Sequence, residues 1–293
     1  MSSDTLEVYR HSGKYTTSGL LLPLAAAVTV GYPLGLAYAY LIRWIPIAYI
    51  NLLVTFGYGF VFGWLTQRLL KSGRVRNKVL AGICGTLAGL IGLYWNWNGH
   101  LHVLFKDTIW FFRPDQIGQA MAYLYDHGSW TISSHGSEGG EPVTGLFLAA
   151  VWLAEAGVIV GASAFIPYSY ISSTPYCEKS GAWLDQAKKI DTLESIDDTA
   201  QVALLQTGNL QPVLDAKPRA DGARVFTRLC LKRAKQPTSF CTLCVIRVTR
   251  RTDKKGKVQE TSKFLTGDFV IPSSMFDLLA QFEDFRPGAP KPA

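Results

Sequence analysis

A single carboxylate interrupts a long apolar run: Glu155 lies near the middle of GLFLAAVWLAEAGVIVGASAFIPYSYI, residues 145–171. A charge at the centre of a bilayer costs at least about 3 kcal/mol, so such a residue turns to a bundle interior or a cavity and often marks a proton or ion path. The other reading is structural. Glu155 accepts hydrogen bonds from Tyr32, Tyr38 or Tyr58 on neighbouring spans and ties the bundle together. The spans offer no second charge, which weighs against a relay.

Other residue types that bind or react are scattered. His100, His102, His127 and His135 lie in or beside one polar stretch, and His100-x-His102 could turn two imidazoles to one side of an extended segment, but no further ligand stands at a metal-site spacing. Cys241-x-x-Cys244 invites a zinc or redox reading. FCTLCVIRV is strand-like, however, so residues three apart face opposite ways and no turn forms a knuckle. The expectation is no bound metal and no cofactor, with His100, His102, Cys241 and Cys244 as the only metal candidates. No Gly-rich phosphate loop, GxSxG or HExxH is present, and no acid–base or nucleophile–base pair assembles from recognisable spacing, so an enzyme is not expected. The five cysteines suit free thiols in a reducing compartment.

Residues 217–263 hold 14 Lys or Arg against Asp221, Asp253 and Glu260. Arg224, Arg228, Lys232, Arg247, Arg250, Arg251, Lys254 and Lys255 form a candidate surface for anionic lipid headgroups or an acidic partner. Nucleic acid is not the expected partner, since no module signature accompanies the charge.

The elements that carry these residues follow from periodicity. Four apolar runs, about 19–42, 47–70, 79–97 and 145–171, are long enough to cross a hydrocarbon core of about 30 Å, and the first is too long for a signal peptide. Pro23 and Pro33 are possible kinks in it. Gly59-x-x-x-Gly63, Gly85-x-x-x-Gly89 and Gly157-x-x-x-Gly161 are candidate faces for close helix packing, within one bundle or between copies in a homo-oligomer. Arg68, Lys71, Arg74, Arg76 and Lys78 crowd the link between the second and third runs with no acid, so that link is cytoplasmic, the loop at 99–142 is outside and both termini are inside. Within the loop, LHVLFKDTIWFFR suits the membrane interface, Pro114 to Gly128 reads as a helix with an Ile117/Met121/Leu124 stripe, and SHGSEGGEP is a connector.

The pattern changes after residue 171. Short helices are expected at 182–189 and at 196–207, the second opened by Ser195-x-x-Asp198 and closed by Gly208. From Ala223 the period becomes two, and ARVFTRLCLKRA, FCTLCVIRVTRR and KVQETSKFLTGDFVI read as a three-stranded antiparallel meander. A helix at 275–285 behind Ser274-x-x-Asp277 could cover one face, and 286–293 is a disordered tail. The expected fold is thus an all-α four-helix membrane bundle, residues 1–171, followed by a cytoplasmic α+β domain, residues 172–285.

The segment Cys177-Glu178-Lys179-Ser180-Gly181-Ala182-Trp183, after four spans, resembles the CxxCGxW-like opening of the cytoplasmic segment in a group of uncharacterised bacterial four-span membrane proteins. Ser180 replaces the second Cys, which puts any metal role of the motif in doubt. The resemblance implies an architecture and a bacterial inner-membrane setting, and no activity. Together these features point to a non-enzymatic sensor, scaffold or assembly subunit that meets lipid or a protein partner through its basic domain. The alternative is a channel or transporter using Glu155.

Overall fold

The computed structural model describes residues 5–45, 48–105, 112–128, 130–132 and 141–284. Residues 106–111 of the expected interfacial segment, most of the connector, His135 and the tail lie outside these residues, while residues 101–104 of that segment belong to a helix. Two compact units emerge: residues 12–173, and residues 174–293 together with the first eleven.

Four helices are long and apolar enough to cross a membrane: α1 (Thr17–Trp44), α2 (Ala48–Ser72), α3 (Lys78–Leu104) and α5 (Gly145–Ser173). The N-termini of α1 and α3 are capped by side chains. Thr16 Oγ1 accepts from Gly19 N at 3.1 Å, and Asn77 Oδ1 accepts from Val79 N and Leu80 N. Pro23 and Pro33 lie inside α1, which runs through both. Helix α3 extends seven residues beyond the expected limit at Trp97, because Asn98, Gly99, Leu101, His102 and Val103 are buried against the rest of this unit rather than lying in a loop.

Glycine sets how closely these helices approach. A Cβ on Gly59 would sit 2.8 Å from Ile159 Cα, and one on Gly85 would sit 2.3 Å from the Ser163 carbonyl. A Cβ on Gly63 would sit 2.9 Å from Ala162 O, and one on Gly89 3.0 Å from Ser163 Cβ. Glycines outside the expected motifs do the same: a Cβ on Gly99 would sit 2.5 Å from the Gly35 carbonyl, and one on Gly73 2.4 Å from Gly19 Cα. Gly157 and Gly161 have nothing within 4 Å and pack against no helix of this bundle. Spacing alone made them equivalent to the other pairs; the rotation of α5 separates them. Helix α4 (Pro114–His127) starts at Pro114 and stops at Gly128, whose φ is +82°. Its Ile117 and Leu124 bury against Leu101. A two-residue bridge joins β1 (Thr131–Ile132) to β2 (Glu141–Pro142).

In the other unit the expected three-stranded meander is a five-stranded antiparallel sheet. Strand β5 (Gln186–Leu193) pairs with β6 (Val225–Arg233), β6 with β7 (Cys241–Thr252), and β7 with both β8 (Val258–Phe264) and β9 (Phe269–Ile271). The expected helix at 182–189 is extended instead. Ala182–Trp183 (β4) closes a hairpin on Tyr176–Cys177 (β3), and the rest begins β5. A helix that short is marginal in water, whereas pairing with β6 satisfies its backbone and buries Ile190 and Leu193. The stretch read as one strand, 257–271, breaks at a bulge: the amides of Leu265 and Thr266 both donate to the Val245 carbonyl, and Thr266 Oγ1 accepts from Val245 N.

Helix α6 (Thr199–Gln206) is capped by Asp198, which accepts from Ala200 N; Ser195, expected as the cap, donates to Asp197 instead. A single turn, α7 (Gln211–Leu214), was not anticipated. Helix α8 (Ser273–Ala280) begins after Pro272 and continues as a 3-10 turn, 281–284. These helices cover one sheet face, where Leu229, Leu231, Leu243 and Val245 meet Leu205, Val213, Phe276 and Leu279. Each such side chain contributes about 1.5–3 kcal/mol by leaving water. The N-terminal segment joins this unit: Tyr9 N donates to Asp268 O, and Leu6 N to Gly208 O.

Candidate functional site

Glu155 sits in a hydrogen-bonded network that reaches all four long helices. Its Oε1 accepts from Tyr38 Oη of α1 at 2.5 Å and from Asn96 Nδ2 of α3 at 3.0 Å. Tyr38 Oη also lies 2.8 Å from Thr55 Oγ1 of α2, which donates to the Asn51 carbonyl. Tyr38, Thr55 and Asn96 are buried. Of the other two expected partners, Tyr58 donates to the Gly92 carbonyl at 2.8 Å, and Tyr32 packs edge-on against Trp95.

Sequence reasoning missed Thr55 and Asn96, and it assigned His100 to a loop. Asn96 and His100 are four apart on α3, hence on one side of it. The spacing Asn96-x-x-x-His100 was the signal available once the helix is known to continue. Nearby along the helices, Arg43 Nη1 caps the α3 terminus by donating to Val103 O at 2.6 Å. Asn51 Oδ1 and Asn98 Oδ1 are buried without a hydrogen-bond partner among the described residues.

The basic residues of the sheet unit divide into two groups. Arg228 forks onto Asp191 at 2.5 and 2.7 Å and reaches Glu260 at 3.1 Å; Arg250 donates to Glu260 at 2.7 Å. With Arg219, these guanidiniums lie over the Phe226 ring, Arg219 at 4.0 Å from its centroid. Burial alone would raise Asp191, but the Arg228 hydrogen bonds outweigh it and hold the carboxyl below its ordinary value. Hydrogen bonding to Arg250 lowers Glu260, and the bond to Asp191 raises Arg228. Lys232 pairs with Asp268 at 2.9 Å and Arg247 with Asp197 at 3.0 Å. Four of the eight candidate cations are therefore neutralised locally. Arg251, Lys254 and Lys255 remain, with Lys257 and Lys263 beside them, on a fully exposed stretch from 251 to 264. Arg224 is the other candidate with no ion pair among the described residues.

His100 and His102 stand on helix α3, so two residues apart they point to different sides instead of sharing an extended edge. Cys241 and Cys244 face opposite sides of β7: the first joins the helix-covered core, the second the Phe226 cluster. No group of three metal-ligating side chains forms among the described residues. All five cysteines are free and buried. Cys177 heads the β3–β4 hairpin, where Gly181 N donates to its carbonyl and Gly181 takes a positive φ of 67°. Burial pushes its thiol up, yet hydrogen bonding from Ser180 and Ser239 more than compensates and brings it to about 7.

The chain matches no family model, no curated protein and no solved structure.

Proposed function

We propose that this is a non-enzymatic membrane protein, a sensor, scaffold or assembly subunit, whose four-helix body anchors a cytoplasmic sheet unit that meets a partner. The setting proposed is a bacterial inner membrane with both termini inside, on the strength of the acid-free basic link at 68–78. The observation that carries the reading is the division of labour between charges. Glu155 is committed to hydrogen bonds that tie helices together, while the sheet unit holds unpaired cations on an exposed ribbon.

A second reading, transport past Glu155, is favoured by His100, one turn along α3 from Asn96, and by the Asn51 and Asn98 oxygens, which have no hydrogen-bond partner among the described residues. Reconstitution separates the two. Proteoliposomes of the full chain should show no proton or cation flux above empty vesicles, and crosslinking in native membranes should recover a partner that is lost on deleting residues 174–293. Flux abolished by Glu155→Gln, with no partner depending on 174–293, would overturn the interaction reading in favour of transport.

A further inference from the structure

Strand β8 and the end of β7 form a ribbon unlike the rest of the sheet. Every residue from 251 to 264 is exposed, although Thr252 pairs with Val258 and Arg247 with Lys263 in unbroken register. Beyond β7, strand β8 has no other neighbour in the sheet. Residues 261–264 edge the part of β7 that also pairs with β6, and only 250–252 with 258–260 runs on as a two-stranded ribbon, which gains little from its own packing.

Its two acids are already engaged. Glu260 is held by Arg228 and Arg250, and Asp253 Oδ1 accepts from the amides of Lys255 and Lys257 at 2.8 and 2.9 Å, shaping the turn. Arg251, Lys254, Lys255, Lys257 and Lys263 have no ion-pair partner among the described residues. Arg251 and Lys263 fall on one face of the ribbon, with the three other lysines at its tip. The opposite face carries Val258 and Phe264, 56% and 67% exposed.

We propose that this ribbon meets a lipid bilayer edge-on along β8, its cations binding anionic headgroups while Val258 and Phe264, on the other side of the same edge, enter the interface. The inference rests on the proposed interaction role and adds a lipid surface to what the sheet unit meets. Charge complementarity and side-chain type select the occupant. Four of the five cations are lysines, compact hydrated charges that suit a diffuse field, whereas recognition of one carboxylate or phosphate favours the arginine fork. The arginines of the sheet are largely spent on its own carboxylates. Exposed apolar side chains beside lysines suit an interface that is charged at its surface and apolar just beneath. The chain also brings its own bilayer, since only Thr174 and Pro175 separate the end of α5 from β3.

The test uses the full chain in liposomes with an environment-sensitive fluorophore attached through Thr261→Cys, the five native thiols being buried. In vesicles containing phosphatidylglycerol the probe should shift to the blue and be quenched by brominated lipid. Pure phosphatidylcholine vesicles should give neither signal, and 0.5 M salt should reverse both. Replacing Lys254, Lys255, Lys257 and Lys263 by Gln, one after another, should lower the bound-to-free ratio about fivefold each. Val258→Ser with Phe264→Ser should reduce quenching while leaving the salt dependence.

Equal signals in the two lipids would overturn the proposal. So would a shift in phosphatidylcholine vesicles produced by soluble glycerophosphate, by an acidic peptide or by RNA, each of which identifies a different anion as the ligand. Failure here with the crosslinked partner still recovered removes the lipid assignment alone. Loss of that partner with the lipid signal intact removes the protein-interaction role alone.

Discussion

Replacing Glu155 tests the network at its centre. Glu155→Leu removes the acceptor for Tyr38 Oη and Asn96 Nδ2, two contacts made at 2.5 and 3.0 Å. Tyr38 keeps Thr55 as a partner, but the Asn96 amide is left facing an apolar side chain at a buried position. Interhelical hydrogen bonds in membranes average about 0.6 kcal/mol and reach about 1.7, so losing two costs roughly 1–3 kcal/mol. Glu155→Gln keeps a carbonyl oxygen where the acceptor stood. The exchange is nearly isosteric and keeps one acceptor, for a net change of about 0–1 kcal/mol. Unfolding of the full chain in mixed micelles measures both, because the bundle and its unfolded helices share one apolar phase. The expected order is wild type close to Gln and well above Leu. Combining Tyr38→Phe with Glu155→Leu should cost less than the sum of the two changes. Equal stability of all three proteins, or equal loss in Gln and Leu, would refute the reasoning: the first says the network contributes nothing, the second that charge matters and not the acceptor.

Helix packing separates glycines that look alike in sequence. Gly85→Val, whose Cβ would meet the Ser163 carbonyl at 2.3 Å, should lower the unfolding midpoint sharply, while Gly157→Val should leave it within about 0.5 kcal/mol, in the same micelle assay. The Asp191–Arg228–Glu260 cluster predicts acid sensitivity. Both carboxyls are depressed in the folded protein, so their stabilisation is full above the ordinary carboxylate range near about 4 and is lost as pH falls below it through the folded values. Hydrogen exchange of β5 and β6 amides should accelerate over that window in the full chain, and Asp191→Asn should flatten the dependence. Ser239→Ala should raise the Cys177 thiol from about 7, read as a shift in the pH dependence of thiolate absorbance in the folded protein; an unmoved profile would remove Ser239 as its donor. Cys244, pushed up to about 12 first by burial and then by Asp268, should resist alkylation at pH 8 in the folded protein. Finally, Ser72→Cys should react only from the cytoplasmic side and Ser137→Cys only from outside; the reverse pattern would invert the proposed orientation.

The number of long apolar helices was legible because hydrocarbon thickness imposes a length that no other constraint imitates. Strands β6 and β7 were legible for a similar reason, since a period of two survives in Val225 to Leu231 whatever surrounds it. Strand β5 was not, because Gln186 to Leu193 carries little alternation and becomes extended only by pairing with β6. The end of α3 was hidden because Asn98 and His102 read as loop residues until neighbouring chain buries them.

The same division runs through the candidate sites. Sequence alone determined that an acid stood within a span and that the C-terminal region was basic, because composition and position suffice for both. Only the tertiary structure decided that Tyr38 and Asn96 hold the acid, that Gly157 and Gly161 face away from the bundle, and that Arg228, Lys232, Arg247 and Arg250 meet carboxylates while the lysines of residues 254–263 do not. Those outcomes depend on helix rotation and strand register, which bring together residues far apart in the chain, and no local pattern of residue types specifies either one.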